Sequence, residues 1–389
     1  MTVAAGPRLF DAAALLAEVA DEVVVRTVRD THDAWAERAH RVVRASTGSE
    51  SRVPEQVHRG IASGVYGGLG VGFRALAAGL GALADLGVGP ALEDTEPGRV
   101  ANAAVNGIIG DRLARERPRL AVPLAVRRDG RDVPLHSDAL RSAYPEATGR
   151  VVVLLHGLSE SESSFDRHRD VVGTTYAETL SALGWTPVLL RANTGLPLRV
   201  NGVALSSLLQ QLTEAWPVPV DRLALVGHSM GGLIARAACA VRSEESRPWH
   251  DAVTDVVTLG TPHLGAPLAS GVGSGARALT RLPETAAFGR ILDQRSAGVL
   301  DLVEGLDDDV PPLPHARYHL VSATLTRSPR HPVGRFLGDL FVRQPSAYGR
   351  SPRRHGLFPG ADELHLPRTG HFDLLNHPRV HAALRDWLA

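Results

Sequence analysis

A mostly parallel α/β sheet covered by helices on both faces is predicted for residues 118–389, on three observations. Short, nearly continuous apolar runs recur ("RVVVLLHG", "TPVLLR", "RLALVGHS", "DAVTDVVTLGTP", "ARYHLVSAT"), as strands buried on both faces read. Segments of helical texture separate them, which makes neighbouring strands parallel. One of the runs turns from strand to helix on Ser229, with Gly227 and Gly231 two residues to either side.

Residues 1–117 are expected to form a helical N-terminal region without strands. "VRTVRDTHDAWAERAHRVV" spaces Val28, Trp35, Ala39 and Val42 on one face of a helix. After the break "ASTGSESRVPEQ" comes Gly60 to Gly89, apolar and rich in Gly and Ala, interrupted by Arg74 and Asp85. These interruptions leave no clean run of ~18 apolar residues, so a membrane span is not expected. The closely spaced glycines predict tight helix packing within a soluble protein, with membrane or lipid contact and a flexible segment as lesser alternatives. "LAVPLAVRRDGRDVPL" reads as two strands around the turn Asp129-Gly130. Strands and helices then alternate. "SSFDRHRDVVGTTYAETLSALG" ends helically, "NGVALSSLLQQLTEAWP" is a helix stopping at Pro217, and the helix after Ser229 runs through Arg242. "DELHLP" supplies a last strand and "HPRVHAALRDWLA" a closing helix. An insert of short helices at about 271–314 interrupts the alternation, as a cap or lid above a sheet would.

Composition narrows the function. The chain has 389 residues, 44% hydrophobic and 22% charged, with 42 basic and 42 acidic residues. That balance gives no argument for nucleic acid or an anionic surface as partner. Every basic residue other than histidine is Arg, which excludes Schiff-base and P-loop lysines. The single cysteine, Cys239, cannot form an intrachain disulfide and reads as a core residue. The first residues lack the basic start and apolar core of a signal peptide, so the cytoplasm is the expected location. The pairs His365 with His371 and His377 with His381 lack further ligands at suitable spacing, so neither a metal nor a cofactor is expected.

Gly227-His228-Ser229-Met230-Gly231 fits a Gly-x-Ser-x-Gly elbow. A strand-to-helix turn sharp enough to lift a serine clear of a sheet brings the residues two before and two after it into contact, where a Cβ would clash. A serine hydroxyl needs a base to act as a nucleophile, and in this architecture the acid and then the base follow it in the chain. His371, just beyond the last strand, is the candidate base, with His377 and His381 as rivals. Asp339, after "RYHLVSAT", is the candidate acid, against Asp307-Asp308-Asp309 and Asp362. The backbone N–H groups of Met230 and Leu158 are the candidate oxyanion donors. His156, Gly157 and His228 are expected beside the substrate, His156 in a structural rather than catalytic role.

With these residues in hand the chain resembles the α/β-hydrolase superfamily, and within it bacterial lipase/esterase-like members related to the GPI-inositol-deacylase and triacylglycerol-lipase group. The resemblance rests on "LLHGL" (Leu154 to Leu158), "GHSMGGLIAR" (Gly227 to Arg236), "TLGTPHLGAP" (Thr258 to Pro267), "GDLFV" (Gly338 to Val342) and "TGHFDLL" (Thr369 to Leu375). It covers about residue 120 to the end. It implies an α/β-hydrolase fold, a carboxylic ester as small-molecule or lipid substrate, and His263 as a wall residue near the site. Relatives tend to carry Gly-Asp-Gly or Asp-Gly-x-Val at the acid; this chain has Asp339-Leu340-Phe341-Val342. Two other readings share the sequence: an acyltransferase with the same triad, and a non-enzymatic module whose N-terminal helices bind a partner or lipid.

Overall fold

The computed structural model describes residues 8–19, 29, 53–266, 296–306, 309–328, 331, 334, 338–351 and 356–389. Most of the helix expected at Val25 to Val43, and the greater part of the expected lid, lie outside the described residues. The chain divides into two compact units, with the boundary between Thr95 and Glu96.

In the first unit a helix Leu9–Val19 packs against a longer one, Val53–Asp85. The long helix starts within the predicted break, at "VPEQ". It buries a narrow alanine stripe, Ala62, Ala77 and Ala84, while Ile61, Val65, Leu69, Val71, Leu76 and Leu83 are exposed. A Cβ placed on Gly60, Gly64, Gly67, Gly68, Gly72, Gly79 or Gly81 meets nothing within 4 Å among the described residues. Gly60–Asp85, 26 residues with mean hydropathy 1.4, is long and apolar enough to cross a membrane, and only 17% of its most apolar window is buried.

The second unit carries an eight-stranded sheet in the order β2-β1-β4-β3-β5-β6-β7-β8. The strands are β1 (Ala125–Arg128), β2 (Arg131–Val133), β3 (Arg150–Leu155), β4 (Thr186–Arg191), β5 (Arg222–His228), β6 (Val253–Leu259), β7 (Arg317–Thr324) and β8 (Asp362–Pro367). β1 and β2 form the predicted hairpin, with Arg128 opposite Arg131. Its two turn residues, Asp129 and Gly130, have φ of 50° and 72°, as a two-residue turn matched to strand twist requires. β1 joins β4 antiparallel, and from β4 to β8 every pairing is parallel. The C-terminal ends of β3 to β8 therefore share one edge.

Both faces are covered. On one, the helices Leu198–Ala215 and Met230–Cys239 pack with Trp216 and Trp249 over β3 to β6. On the other, Phe165, Tyr176 and Trp185 pack with the closing helix Pro378–Trp387. The helix Glu96–Glu116 belongs to this unit. Asn106, fully buried on it, donates to the Leu120 carbonyl at 2.8 Å and accepts from Val122 N–H at 3.0 Å. Ser159, after β3, and Asn193, after β4, donate to carbonyls of the same helix.

At the opposite edge lies an ionic cluster. The buried Asp255 carboxylate faces Arg222, Arg317 and His319, and His319 also reaches Asp362 at 2.9 Å. Asp362, one of the candidate acids, is thus committed at the wrong end of the sheet.

Candidate active site

Ser229 sits between β5 and the helix Met230–Cys239 with φ 51° and ψ −120°, a conformation that L residues rarely adopt. The neighbouring backbones hold it there. A Cβ on Gly227 would overlap Gly232, and one on Gly231 would lie 2.6 Å from the His156 carbonyl. The Ser229 N–H donates to the Leu259 carbonyl at 2.8 Å, tying the elbow to β6. Met230 is the first residue of the helix, and its N–H has no carbonyl one turn back inside the helix.

His371 follows β8 and Asp339 follows β7. The Nδ1–H of His371 donates to Asp339 Oδ2 at 2.8 Å, and its backbone N–H donates to the Asp339 carbonyl at 3.0 Å. Asp339 Oδ1 accepts from Phe341 and Val342 N–H at 3.0 and 2.8 Å. Both carboxylate oxygens are thereby fixed, and Nε2 is left as the free face of the imidazole. His371 and Asp339 form one buried unit.

The elbow and this unit meet across Gly260. The carbonyl of Leu259 receives Ser229, and a Cβ on Gly260 would stand 3.2 Å from Cε1 and Nδ1 of His371. The rings of His228 and His371 lie 4.9 Å apart between centroids. Gly157 closes the other side, where a Cβ would come within 3.0 Å of Ser229 Cβ. Leu158 follows it, between Gly157, whose N–H donates to Glu160, and Ser159, whose N–H donates to Thr194. Phe341 and Phe372 flank the His371 ring at 5.3 and 5.6 Å, both partly exposed. The rim beside the base is apolar.

The backbone of the Asp339 turn is unusual at one position. Leu340 stands where Asp-Gly-x-Val has glycine, and its φ is 98°. The turn requires a positive φ there, which glycine adopts freely and leucine does not.

The other candidates are placed as follows. His156 has no exposed surface: Nδ1 faces the Gly157 carbonyl at 2.9 Å, and Nε2 accepts from Ala192 N–H at 3.0 Å. Burial holds it below the usual histidine range. His228 is equally buried and bonds Glu160. His263 is spent on packing, its ring edge-on to Phe358 at 4.6 Å. These three imidazoles back the site and do not line its open surface, because each is wholly or almost wholly enclosed. Among the rivals, the His377 ring accepts from Arg379 N–H, and His381 bonds Thr179 at 2.8 Å with burial pushing it down to about 4. Asp309 pairs with Arg199; Asp307 and Asp308 lie outside the described residues. Burial pushes the Cys239 thiol up to about 12, so it stays protonated in the core. Among the described residues, no three His, Cys, Asp or Glu side chains gather as a metal site.

Sequence reasoning missed Glu160. It is largely enclosed, accepts from Gly157 N–H at 2.7 Å and contacts His228 Nδ1 at 2.9 Å through the same oxygen. Burial alone would raise its carboxyl, but the His228 charge and these hydrogen bonds hold it down at about 2.

The parallel sheet, the elbow and the loops at one edge define an α/β-hydrolase fold. A match to the family described as "PGAP1-like alpha/beta domain" covers residues 203–276, the segment holding the elbow. Solved structures with a similar chain path include the mature lipase BlEst2 of Bacillus licheniformis (20% identity, 62% of this chain and 92% of that chain, TM-score 0.43). A thermophilic esterase from Thermogutta terrifontis matches at 14% identity, over 62% of this chain and 90% of its own, with TM-score 0.39. The esterase RhEst1 from Rhodococcus sp. ECU1013 matches at 15%, over 62% and 92%, with TM-score 0.37. No curated protein matches.

Two substitutions test the acid turn. Asp339→Asn is expected to fold normally and to lower kcat about 10³–10⁴-fold, because the amide favours the wrong imidazole tautomer; steady-state kinetics on a p-nitrophenyl ester measures it. Leu340→Gly is expected to retain activity and to match or exceed wild-type stability in denaturant melts, since relief of about 1–3 kcal/mol of strain outweighs the roughly 0.5–1 kcal/mol entropic cost of glycine.

Proposed function

We propose that the chain is a serine hydrolase of carboxylic esters. Ser229 attacks the acyl carbon while His371 Nε2 takes the hydroxyl proton, and Asp339 holds the ring through Nδ1 and stabilises its charged form. The oxyanion of the tetrahedral intermediate is met by the N–H groups of Leu158 and Met230. Collapse breaks the ester C–O bond, and His371 returns the proton to the leaving alcohol. Water then attacks the acyl-enzyme with His371 again as base, releasing the acid and restoring Ser229. The carrying observation is the Asp339–His371 unit, joined at 2.8 Å and seated beside a strained serine elbow. Phe341 and Phe372, exposed beside the base, support an apolar acyl group.

Ser229→Ala is expected to abolish hydrolysis of short and long p-nitrophenyl esters and labelling by a fluorophosphonate probe. Retained activity in that variant, or a wild type that neither labels nor turns over, would sink the proposal.

A second reading concerns the first unit alone: the helix Gly60–Asp85 engages a lipid bilayer. Its support is an apolar stretch of 26 residues, on the order of the ~20 needed to cross ~30 Å of hydrocarbon, left mostly uncovered. The full chain is expected to float with phosphatidylcholine vesicles, and Val65→Asp/Leu69→Asp is expected to stay in the aqueous fraction. Wild type that does not float ends this reading.

A further inference from the structure

Glu160 and His228 take no part in the steps above, yet they lie directly behind the residues that do. The Nδ1 of His228 faces Glu160 Oε2 at 2.9 Å and its Nε2 faces the backbone carbonyl of His371 at 3.3 Å. A carboxylate and a carbonyl are both acceptors, so the ring meets both only as the doubly protonated imidazolium. The same Glu160 oxygen accepts the Gly157 N–H at 2.7 Å. Three segments distant in sequence are joined by this chain of bonds: the oxyanion loop through Gly157, the elbow through His228, and the base loop through the His371 carbonyl.

We propose that Glu160 and His228 are positioning residues, a buried carboxylate–imidazolium brace that fixes the spacing of nucleophile, base and oxyanion loop. The inference rests on the reading of Ser229 and His371 as nucleophile and base. Geometry is its foundation, and electrostatics agree. Burial would lower His228, but the charge and hydrogen bond of Glu160 outweigh it and raise the imidazole, with the His371 carbonyl and Asp339 adding to the rise. The titratable groups around the brace are Glu160 and His156 beside β3, Asp339 after β7 and His371 after β8.

The pH window follows from these directions. Glu160 is depressed, so its contribution is complete above the ordinary carboxylate range of ~4 and is lost as pH falls toward about 2. His228 is raised, so its contribution is complete below ~6.5 and is lost as pH rises through its elevated value. The brace is whole between those limits.

The test uses the full chain in two arms. In the first, wild type and Ser229→Ala are assayed on a p-nitrophenyl ester to establish the hydrolase reading, then Glu160→Gln and Glu160→Asp are compared with wild type. Glu160→Gln is expected to lower kcat about 10²-fold, the scale of an ångström misplacement. Its KM should stay within about threefold, because the substrate surface is untouched, and its alkaline limb should move to lower pH. Glu160→Asp should recover part of kcat. In the second arm, ¹⁵N-histidine spectra are followed from pH 6 to 9. One ring is expected to hold both protons to a higher pH than an ordinary histidine in wild type, its signal to vanish in His228→Gln and its proton to be lost at lower pH in Glu160→Gln. Loss of activity in Ser229→Ala together with wild-type kcat and pH profile in Glu160→Gln overturns the brace alone. So does a wild-type spectrum in which no ring titrates above the ordinary histidine value of ~6.5, a result readable even if Glu160→Gln does not fold.

Discussion

The site depends on one backbone constraint: Ser229 must turn through φ 51° in the space between β5 and its helix. That turn forces backbone against backbone, and the glycines are where they are because of it. Gly227 and Gly231 face Gly232 and the carbonyls ending β3, while Gly157 and Gly260 let the flanking loops close on the serine and the base. Strain of this kind costs on the order of 1–3 kcal/mol and persists only where the surroundings over-determine it. Here they do. The helix that leaves the elbow is buried at every residue from Met230 to Cys239, and the Ser229 N–H is fixed to β6.

Parallel strands convert that local turn into a site. Because β3 to β8 run the same way, the loops after β3, β5, β6, β7 and β8 open on one edge and deliver His156-Gly157, Ser229, Gly260, Asp339 and His371. The opposite edge receives the strand starts, where Asp255, His319, Asp362 and the Arg222 and Arg317 guanidiniums neutralise one another. Aspartates and histidines are present at both ends of the sheet. Asp339 and His371, which follow strands, meet at the edge that carries the elbow, whereas Asp362 begins a strand and lies at the other edge, so chain position relative to each strand separates Asp339 from Asp362 better than residue type does.

The same logic explains what was legible in the sequence. Strands β3 to β7 fall where the apolar runs stand, since burial on both faces writes itself into most residues of a strand, whereas the edge strand β8 is largely exposed at its start. The β1–β2 turn was readable from Asp129-Gly130, because the positive φ it needs selects those residue types. Helix ends were less legible: the helix after Ser229 stops at Cys239, before the expected Arg242. The helix Glu96–Glu116 reads as part of the N-terminal region, yet its Asn106 and its carbonyls are bonded into the sheet unit by contacts too distant in sequence to leave a pattern. Glu160 escaped for a related reason. In "LSESESS" it has the look of a solvated loop residue, and only the folded chain shows His228 and the Gly157 N–H converging on it. Leu340 carries the reverse lesson. An unfavourable residue holds a glycine-type turn because Asp339 Oδ1, bonded to two N–H groups of that turn, fixes its shape from within.

Why an ion pair should serve as the brace, when neutral hydrogen bonds are less costly to bury, follows from counting donors. A neutral imidazole has one N–H and meets either Glu160 or the His371 carbonyl, leaving the other acceptor unsatisfied in the interior, at about 1–3 kcal/mol. Protonating the ring satisfies both at once, and the charge so created is cancelled by a carboxylate 2.9 Å away. Burying such a pair is costly, and its use lies more in fixing register than in stability. The elbow is already tied to β6 and His371 to Asp339; the brace adds a direct link among the loops after β3, β5 and β8, where the proposed chemistry tolerates little misplacement. The pair carries no net charge, so it joins the loops without placing an isolated buried charge beside Ser229 and His371.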